Sequence, residues 1–351
     1  MRLLFLLLFT PIPAAAQDEV IIDSNTRDGK LMYEAWCARC HGDDGNGQVE
    51  GLVLDTPVPD FSDCSFTTRE PRKDWQAVIM HGGPARGLSM TMPSWGEALS
   101  QEQADAIIAH IKTFCTESGW PEGELNFRRA QITGKAFPEN EALVIPTYTT
   151  ANTKATTTKL VYESRIGKAG QWEIAVPFAS RSESSGLGDI ELAGKYTFHH
   201  DVSSLSIASA GLEIILPTGN ESSGLGGGLW KIAPFLAAAK GFGSTFFQSS
   251  LKLEYSLHPG APSEIFYNLA WMVPLTSEKQ GFYPMIELNG VTEFNHGTTF
   301  FVTPQLYYAI SRKGHIAISL GAQFPVAGEK PYDYRIVSFL LWEYADGGLW
   351  W

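Results

Sequence analysis

The apolar and polar positions of the chain follow two different periods. Between Asp28 and Phe114 apolar residues recur at helical spacing. Leu31, Met32, Ala35 and Trp36 form one face of a segment running from Asp28 to Cys37. Trp75 to His81 reads as a short helix that stops at Gly82-Gly83. Ser100 to Phe114 reads as a longer one. Ser100 is placed to cap it, Gln103 completes a capping-box pattern, and Ala104, Ile107, Ile108, Ile111 and Phe114 recur on one side. From about residue 142 the period falls to two. Leu251, Leu253, Tyr255 and Leu257 alternate with Lys252, Glu254 and Ser256, and Phe300, Val302, Leu306 and Tyr308 with Thr299, Thr303 and Gln305. Such alternation predicts strands with one apolar and one polar face. About twelve are expected, near 142–150, 154–166, 170–180, 188–200, 203–217, 227–240, 242–257, 263–275, 281–295, 298–310, 314–326 and 334–345. Between the two regimes, Gly119 to about Glu141 has neither period. It carries Pro121, Gly123, Gly134 and Pro138 and reads as a linker.

The expected strands are longer than is usual in a sandwich and match the roughly 9–11 residues that cross a bilayer at a tilt. Connections support a membrane barrel. Ser180 to Gly188 and Thr218 to Gly227 are long and Ser/Gly-rich, whereas Gly167–Gly170, Lys240–Gly243 and Arg312–Gly314 are short, as outer loops and periplasmic turns would be. Trp271, Tyr307, Tyr308, Trp342, Tyr344 and Trp350-Trp351 stand near strand ends, where interfacial aromatics belong. Glu173, Glu191, Lys195, Glu213, Lys252 and Glu254 would face the lumen, as a lining, a plug or an ion-pair network. A secreted β-sandwich or solenoid is the competing architecture, and no short repeat favours the solenoid.

Composition sharpens this picture in two places. The net charge of -12 leaves no basic footprint for nucleic acid. Arg2, the apolar run Leu3 to Phe9 and Ala14-Ala15-Ala16 make a secretory signal, so residues 1–16 are expected to be removed. No segment approaches the roughly 20 apolar residues of a membrane-spanning helix.

Two of the chain's four cysteines lie in Cys37-Ala-Arg-Cys40-His41. Cysteines three apart at the end of a helix reach two positions of one porphyrin, and the adjacent imidazole meets the iron. This is the signature of c-type haem attachment. Zinc would need a second cysteine pair, and a thioredoxin-like site a βαβ context. A second axial ligand is expected from Gly87-Leu88-Ser89-Met90-Thr91-Met92-Pro93-Ser94-Trp95. Met92 precedes a proline, which favours an extended backbone that projects the thioether. Met90 and His81 are the alternatives. Tyr33, Trp36, Trp75 and Trp95 are candidates to pack on a porphyrin, and Trp95 and Arg86 to bind its propionates. Cys64 and Cys115 remain as an even pair in an oxidising compartment and suggest a disulfide, with two buried thiols as the alternative.

Residues 28 to 117 resemble the monohaem class I cytochrome c family through Gly29, Tyr33, Cys37-Ala-Arg-Cys40-His41-Gly42, Gly45-Asn46-Gly47, Met92-Pro93-Ser94-Trp95 and Leu99-Ser100-Gln101-Glu102. The resemblance implies a small all-α haem-packing fold. Cys37 and Cys40 would be the attachment points, and His41 and Met92 the axial ligands. Cys64 and Cys115 fall outside the family pattern. Leu216-Pro217-Thr218-Gly219-Asn220 with Gly224 to Gly228 resembles transporter-like outer-membrane barrels of the phenol-degradation MetA pathway. The whole layout is similar to porin–cytochrome fusions.

The expected organisation is a signal peptide (1–16), an all-α cytochrome c domain (26–117), a linker (118–141) and an antiparallel transmembrane β-barrel of about twelve strands (142–351). The expected function is electron transfer by one covalently bound haem c, not enzymatic turnover. The haem domain would be periplasmic and anchored in outer-membrane lipid, with a redox protein or an external donor or acceptor as partner. A small-molecule transporter with an accessory or sensing haem is the alternative, and a redox enzyme with a labile methionine ligand a lesser one.

Overall fold

The computed structural model describes residues 25–345, apart from 55, 152–153, 182–183 and 276–279. The signal segment and Trp350-Trp351 lie outside the described residues.

The N-terminal domain is helical: α1 (Gly29–Trp36), α2 (Ala38–His41), α3 (Cys64–Thr67), α4 (Arg72–His81) and α5 (Gln101–Ile111). Asp28 caps α1 by accepting from the Leu31 amide at 3.0 Å. On α5 the capping box of Ser100 and Gln103 forms in both directions, satisfying two otherwise orphaned amides. Ala104, Ile107, Ile108 and Ile111 of α5 are buried, each isoleucine stabilising the domain by roughly 1.5–3 kcal/mol. The face α1 turns to them is Gly29, Met32, Tyr33 and Trp36, while Leu31 and Ala35 point outward. The reason is the tight crossing of α1 over α5. A Cβ on Gly29 would come within 2.0 Å of the Ala106 carbonyl oxygen, so the contact line is fixed through Gly29.

The C-terminal part is one antiparallel sheet that closes on itself. Its strands are β1 (Glu141–Thr150), β2 (Ala155–Ile166), β3 (Gly170–Arg181), β4 (Ser184–Leu187), β5 (Ile190–Asp201), β6 (Ser206–Leu216), β7 (Lys231–Phe242), β8 (Thr245–Ser256), β9 (Glu264–Met272), β10 (Gly281–Glu293), β11 (Gly297–Ala309), β12 (Ile316–Ala327) and β13 (Tyr334–Glu343). Every strand but β4 pairs with both neighbours, and β1 pairs with β13 to complete the ring. β4 only extends the β3 hairpin at one rim. The result is a closed twelve-stranded barrel.

Alternation sorts the side chains as the sequence predicts, with the apolar face outward. Leu160, Trp172, Leu192, Leu212, Leu236, Leu251, Leu269, Leu288, Leu320 and Leu340 are all exposed on the outside. Such a continuous apolar exterior is far larger than a water-soluble surface carries and is what lipid requires. Tyr308 faces out and stacks on Phe282 at 4.4 Å. Tyr307 corrects the expectation of an interfacial residue: it is 1% exposed and points into the lumen against Phe339. Adjacent residues on a strand must face opposite ways, so only one of the pair can meet the interface. Among the described residues no helix is long and apolar enough to cross a membrane.

Candidate functional site

The Cys37–His41 turn joins α1 to α2. The amides of Cys40 and His41 both donate to the Cys37 carbonyl, at 3.0 and 2.9 Å. Both thiols and the imidazole therefore belong to one helical turn. Gly42 follows at φ +79, a left-handed conformation that glycine adopts without strain. Its carbonyl accepts from the Tyr33 hydroxyl at 2.7 Å. Tyr33 is fully buried and packs on His110 and Phe114, so it braces the turn from behind. Burial pushes the Cys37 thiol up to about 12, and the neighbouring Cys40 adds to the shift. A free Cys37 would then be an inert thiol rather than a redox nucleophile.

His41 stacks on Phe61 at 4.7 Å. Burial lowers its pKa to about 4, so the ring is neutral, the form that ligates a metal. Its Nδ1 is buried and has no hydrogen-bond partner. Around the turn Trp36, Cys37, Phe66, Met80 and Trp95 are only partly buried against the domain core. Trp36 stacks on Trp95 at 5.8 Å. Paired thiols, a neutral and unsatisfied imidazole, and half-covered aromatic walls fit a haem.

The loop carrying the two methionines is stitched to the end of α4. The Met92 carbonyl accepts from Gly83 N at 3.0 Å, and Trp95 and Gly96 donate to the carbonyls of Ile79 and Met80. The Ser94 hydroxyl donates to the Met80 carbonyl at 2.6 Å. Met92 is half-buried beside Gly83, whereas Met90 is 82% exposed. His81 is exposed. The Trp75 ring packs edge-on against Phe61, the residue that stacks on His41. Arg86 pairs with Asp74 at 3.3 Å in a largely buried contact, and the Trp75 indole donates to the Glu70 carbonyl. Cys64 and Cys115 form a disulfide, tying α3 to the chain just beyond α5.

The chain then enters the barrel, an arrangement not foreseen from the sequence. Gly123 N donates to the Thr68 carbonyl, holding the first part of the connection on the helical domain. Glu117 pairs with Lys168 in the β2–β3 turn at 3.2 Å, and this bond with one from Trp120 holds its carboxyl below the usual range. Residues 126–139 lie inside the lumen. The amides of Gln131, Ile132 and Thr133, and the Thr133 hydroxyl, all donate to the Glu287 carboxylate. Gln248 donates to the Arg128 carbonyl, Lys195 to that of Lys135, and Ser250 accepts from Gly134 N. Arg129 pairs with Glu141 and Glu163, and Lys135 with Glu139 and Glu141. Of the polar lumen residues expected from the sequence, Lys195 holds this segment. Towards the other rim Glu191 pairs with Lys159, Glu213 with Lys252, and Glu254 with Lys231.

Residues 24–111 match the family model described as cytochrome c oxidase, cbb3-type, subunit III. No curated protein matches the chain. Among solved structures, an outer membrane channel from Pseudomonas putida F1 is 13% identical, with 62% of this chain and 99% of that one covered and a TM-score of 0.46. The NanC porin is 9% identical, with 57% and 98% covered and a TM-score of 0.43. The KdgM porin is 9% identical, with 57% and 99% covered and a TM-score of 0.40. What makes the C-terminal part a barrel is its own closed strand pairing. A cytochrome c domain implies a haem cofactor and a redox partner. The chain thus joins a cytochrome c domain to a twelve-stranded β-barrel that resembles outer-membrane channels and porins.

Proposed function

We propose that this chain is an electron-transfer protein, with one covalently attached haem c held at the periplasmic end of an outer-membrane barrel. The observation that carries this reading is the Cys37–His41 turn, with two thiols and a buried imidazole that has no hydrogen-bond partner. A haem bound there supplies a one-electron couple between ferric and ferrous iron. Cys37 and Cys40 fix it through thioethers, and His41 offers a neutral imidazole. Met92 would be the second ligand to the iron, since its loop is pinned to α4 while Met90 faces solvent. Held by both His41 and Met92, the iron would have no position open for oxygen or a substrate, as suits a carrier rather than an enzyme. Trp36, Phe61 and Trp95 stand beside the turn, where they would shield a bound haem from water and so tune its potential.

The barrel is the anchor in this reading. Its apolar exterior suits lipid, and β1 begins and β13 ends at the rim that meets the helical domain through Glu117 and Lys168. In an even-stranded outer-membrane barrel that rim is periplasmic, which puts a soluble periplasmic redox protein within reach. Open passage of a solute, the alternative, is disfavoured by the segment 126–139 within the lumen. The test is electron exchange by the protein in outer-membrane vesicles. Reduction by a soluble periplasmic c-type cytochrome, lost in Cys37→Ser/Cys40→Ser, is expected. Failure to exchange electrons with a holoprotein of normal haem content would overturn the reading.

A further inference from the structure

We propose that the barrel is a latent cation-selective pore and that residues 126–139 of the same chain are its plug. The inference does not rest on the haem, and its test reads ionic current alone.

The first support is size. A barrel of eight strands fills its interior with its own side chains, whereas 16–18 strands leave an aqueous channel. Twelve strands fall between, and here the strands do not fill the space themselves. Ala130, Ala136 and Phe137 of the segment are buried within the barrel, and Phe127 stacks on Phe246 of β8 at 4.7 Å. Gly134 reaches Ser250 and Ala237, each near the middle of its strand. The segment shares this volume with lumen-facing strand side chains such as Met272, Tyr283, Tyr307 and Phe339, and its removal is expected to open a path along the wall they form.

The second support is charge. Near the rim that meets the helical domain the strands turn Glu141, Glu163, Glu173 and Glu343 into the lumen, and Glu287 joins them at mid-barrel. Among the described residues the strands set only Arg165 and Lys195 against them there. The missing positive charge comes from the segment. Arg129 takes Glu141 and Glu163, and Lys135 takes Glu141. The segment also brings one acid, Glu139, whose oxygens lie within 4.8 Å of those of Glu141 and Glu343, and Lys135 pairs with both Glu139 and Glu141, so the segment's three cations outnumber its one carboxylate. Arg128 stands over the rings of Tyr283 and Tyr307 at 5.2 and 5.7 Å. Towards the opposite rim the strand charges pair among themselves, as Lys159–Glu191 and Lys231–Glu254 do. Taking the segment out therefore exposes an acidic constriction, and a low-dielectric wall focuses such a field on passing ions.

The third support is the latch. Both oxygens of Glu287 accept from the segment, Oε1 from the amides of Gln131 and Ile132 and Oε2 from the amide and hydroxyl of Thr133, and Oε1 also accepts from Gln305 at 2.5 Å. One carboxylate thus holds the turn of the segment at mid-barrel without any covalent link.

The experiment is single-channel recording in planar bilayers under a potassium chloride gradient. The native chain is compared with a full-length variant in which 126–139 is replaced by a Gly/Ser tract of equal length. Heat-modifiable gel mobility reports whether each barrel has folded. The native chain is expected to be silent. The plugless barrel is expected to give current steps with a reversal potential displaced towards that of potassium. Glu287→Ala, in an otherwise intact chain, is expected to give brief openings of the same sign. Three results overturn the proposal: a native chain that conducts as well as the plugless one, a folded plugless barrel that is silent or prefers chloride, or a silent Glu287→Ala barrel should the plugless variant fail to fold.

Discussion

The two halves of this molecule bury opposite chemistry. In the helical domain the interior is apolar, built on Met32, Tyr33, Ile107, Ile108 and Ile111, and the imidazole of His41 stands out as a polar group left without a partner. In the barrel the exterior is apolar and the interior carries charge, with Glu141, Glu163, Lys135 and Glu139 almost wholly buried. A charge is tolerated in such a place only when it is paired and hydrogen-bonded, and in the barrel much of the pairing is supplied by residues 126–139. The difference teaches where each half depends on something beyond its own regular elements. In the helical domain a haem would satisfy His41 and cover its aromatic walls. The barrel lacks counterions, and a strip of chain brings them.

The largest predicted effect breaks the comparison at its first side. Cys37→Ser/Cys40→Ser should abolish haem staining on a denaturing gel altogether, while the heat-modifiable mobility of the barrel stays unchanged. Loss of barrel mobility in that variant would mean that the halves do not fold by separate rules. At the second side, Glu141→Gln leaves Arg129 and Lys135 short of a buried partner. Breaking such a pair costs about 3–5 kcal/mol, read as a lower urea midpoint for the barrel with haem absorbance unaffected. Within the helical domain, Gly29→Ala forces a methyl against the Ala106 carbonyl. Overpacking of this kind costs about 1–3 kcal/mol, and unfolding followed by haem absorbance would show it. The smallest effect is expected from Ser100→Ala, which removes the cap of α5 and should cost about 1 kcal/mol by the same measurement.

How far each half could be read from the sequence follows from how local its determinants are. The twelve strands are legible because lipid outside and a polar lumen inside impose a strict period of two, as in Leu251–Lys252–Leu253–Glu254. The Cys37–His41 motif and the capping box at Ser100 are legible because their parts lie within a few residues. The lumen segment has no period, and the stretch that leads into and through it, with Pro121, Gly123, Gly134 and Pro138, reads as a linker. Its partners are far away along the chain, Glu287 lying 154 residues from Thr133. A usable hint was present: Arg128, Arg129 and Lys135 stand together in front of strands whose inward positions hold more glutamates than lysines. Tyr307 was open to a better reading too, since alternation with Tyr308 sends one of them inward. The engagement of Arg86 by Asp74 had no sequence signal, because nothing in the pattern distinguishes a solvated arginine from a paired one.

The proposed electron carrier requires a six-coordinate iron held by His41 and Met92, and the visible spectrum of the oxidised full-length protein reads that coordination. The methionine–iron charge-transfer band should be present in the native chain and in Met90→Ala, and absent in Met92→Ala. A band that survives Met92→Ala, or a reduced native protein that binds carbon monoxide, would contradict it.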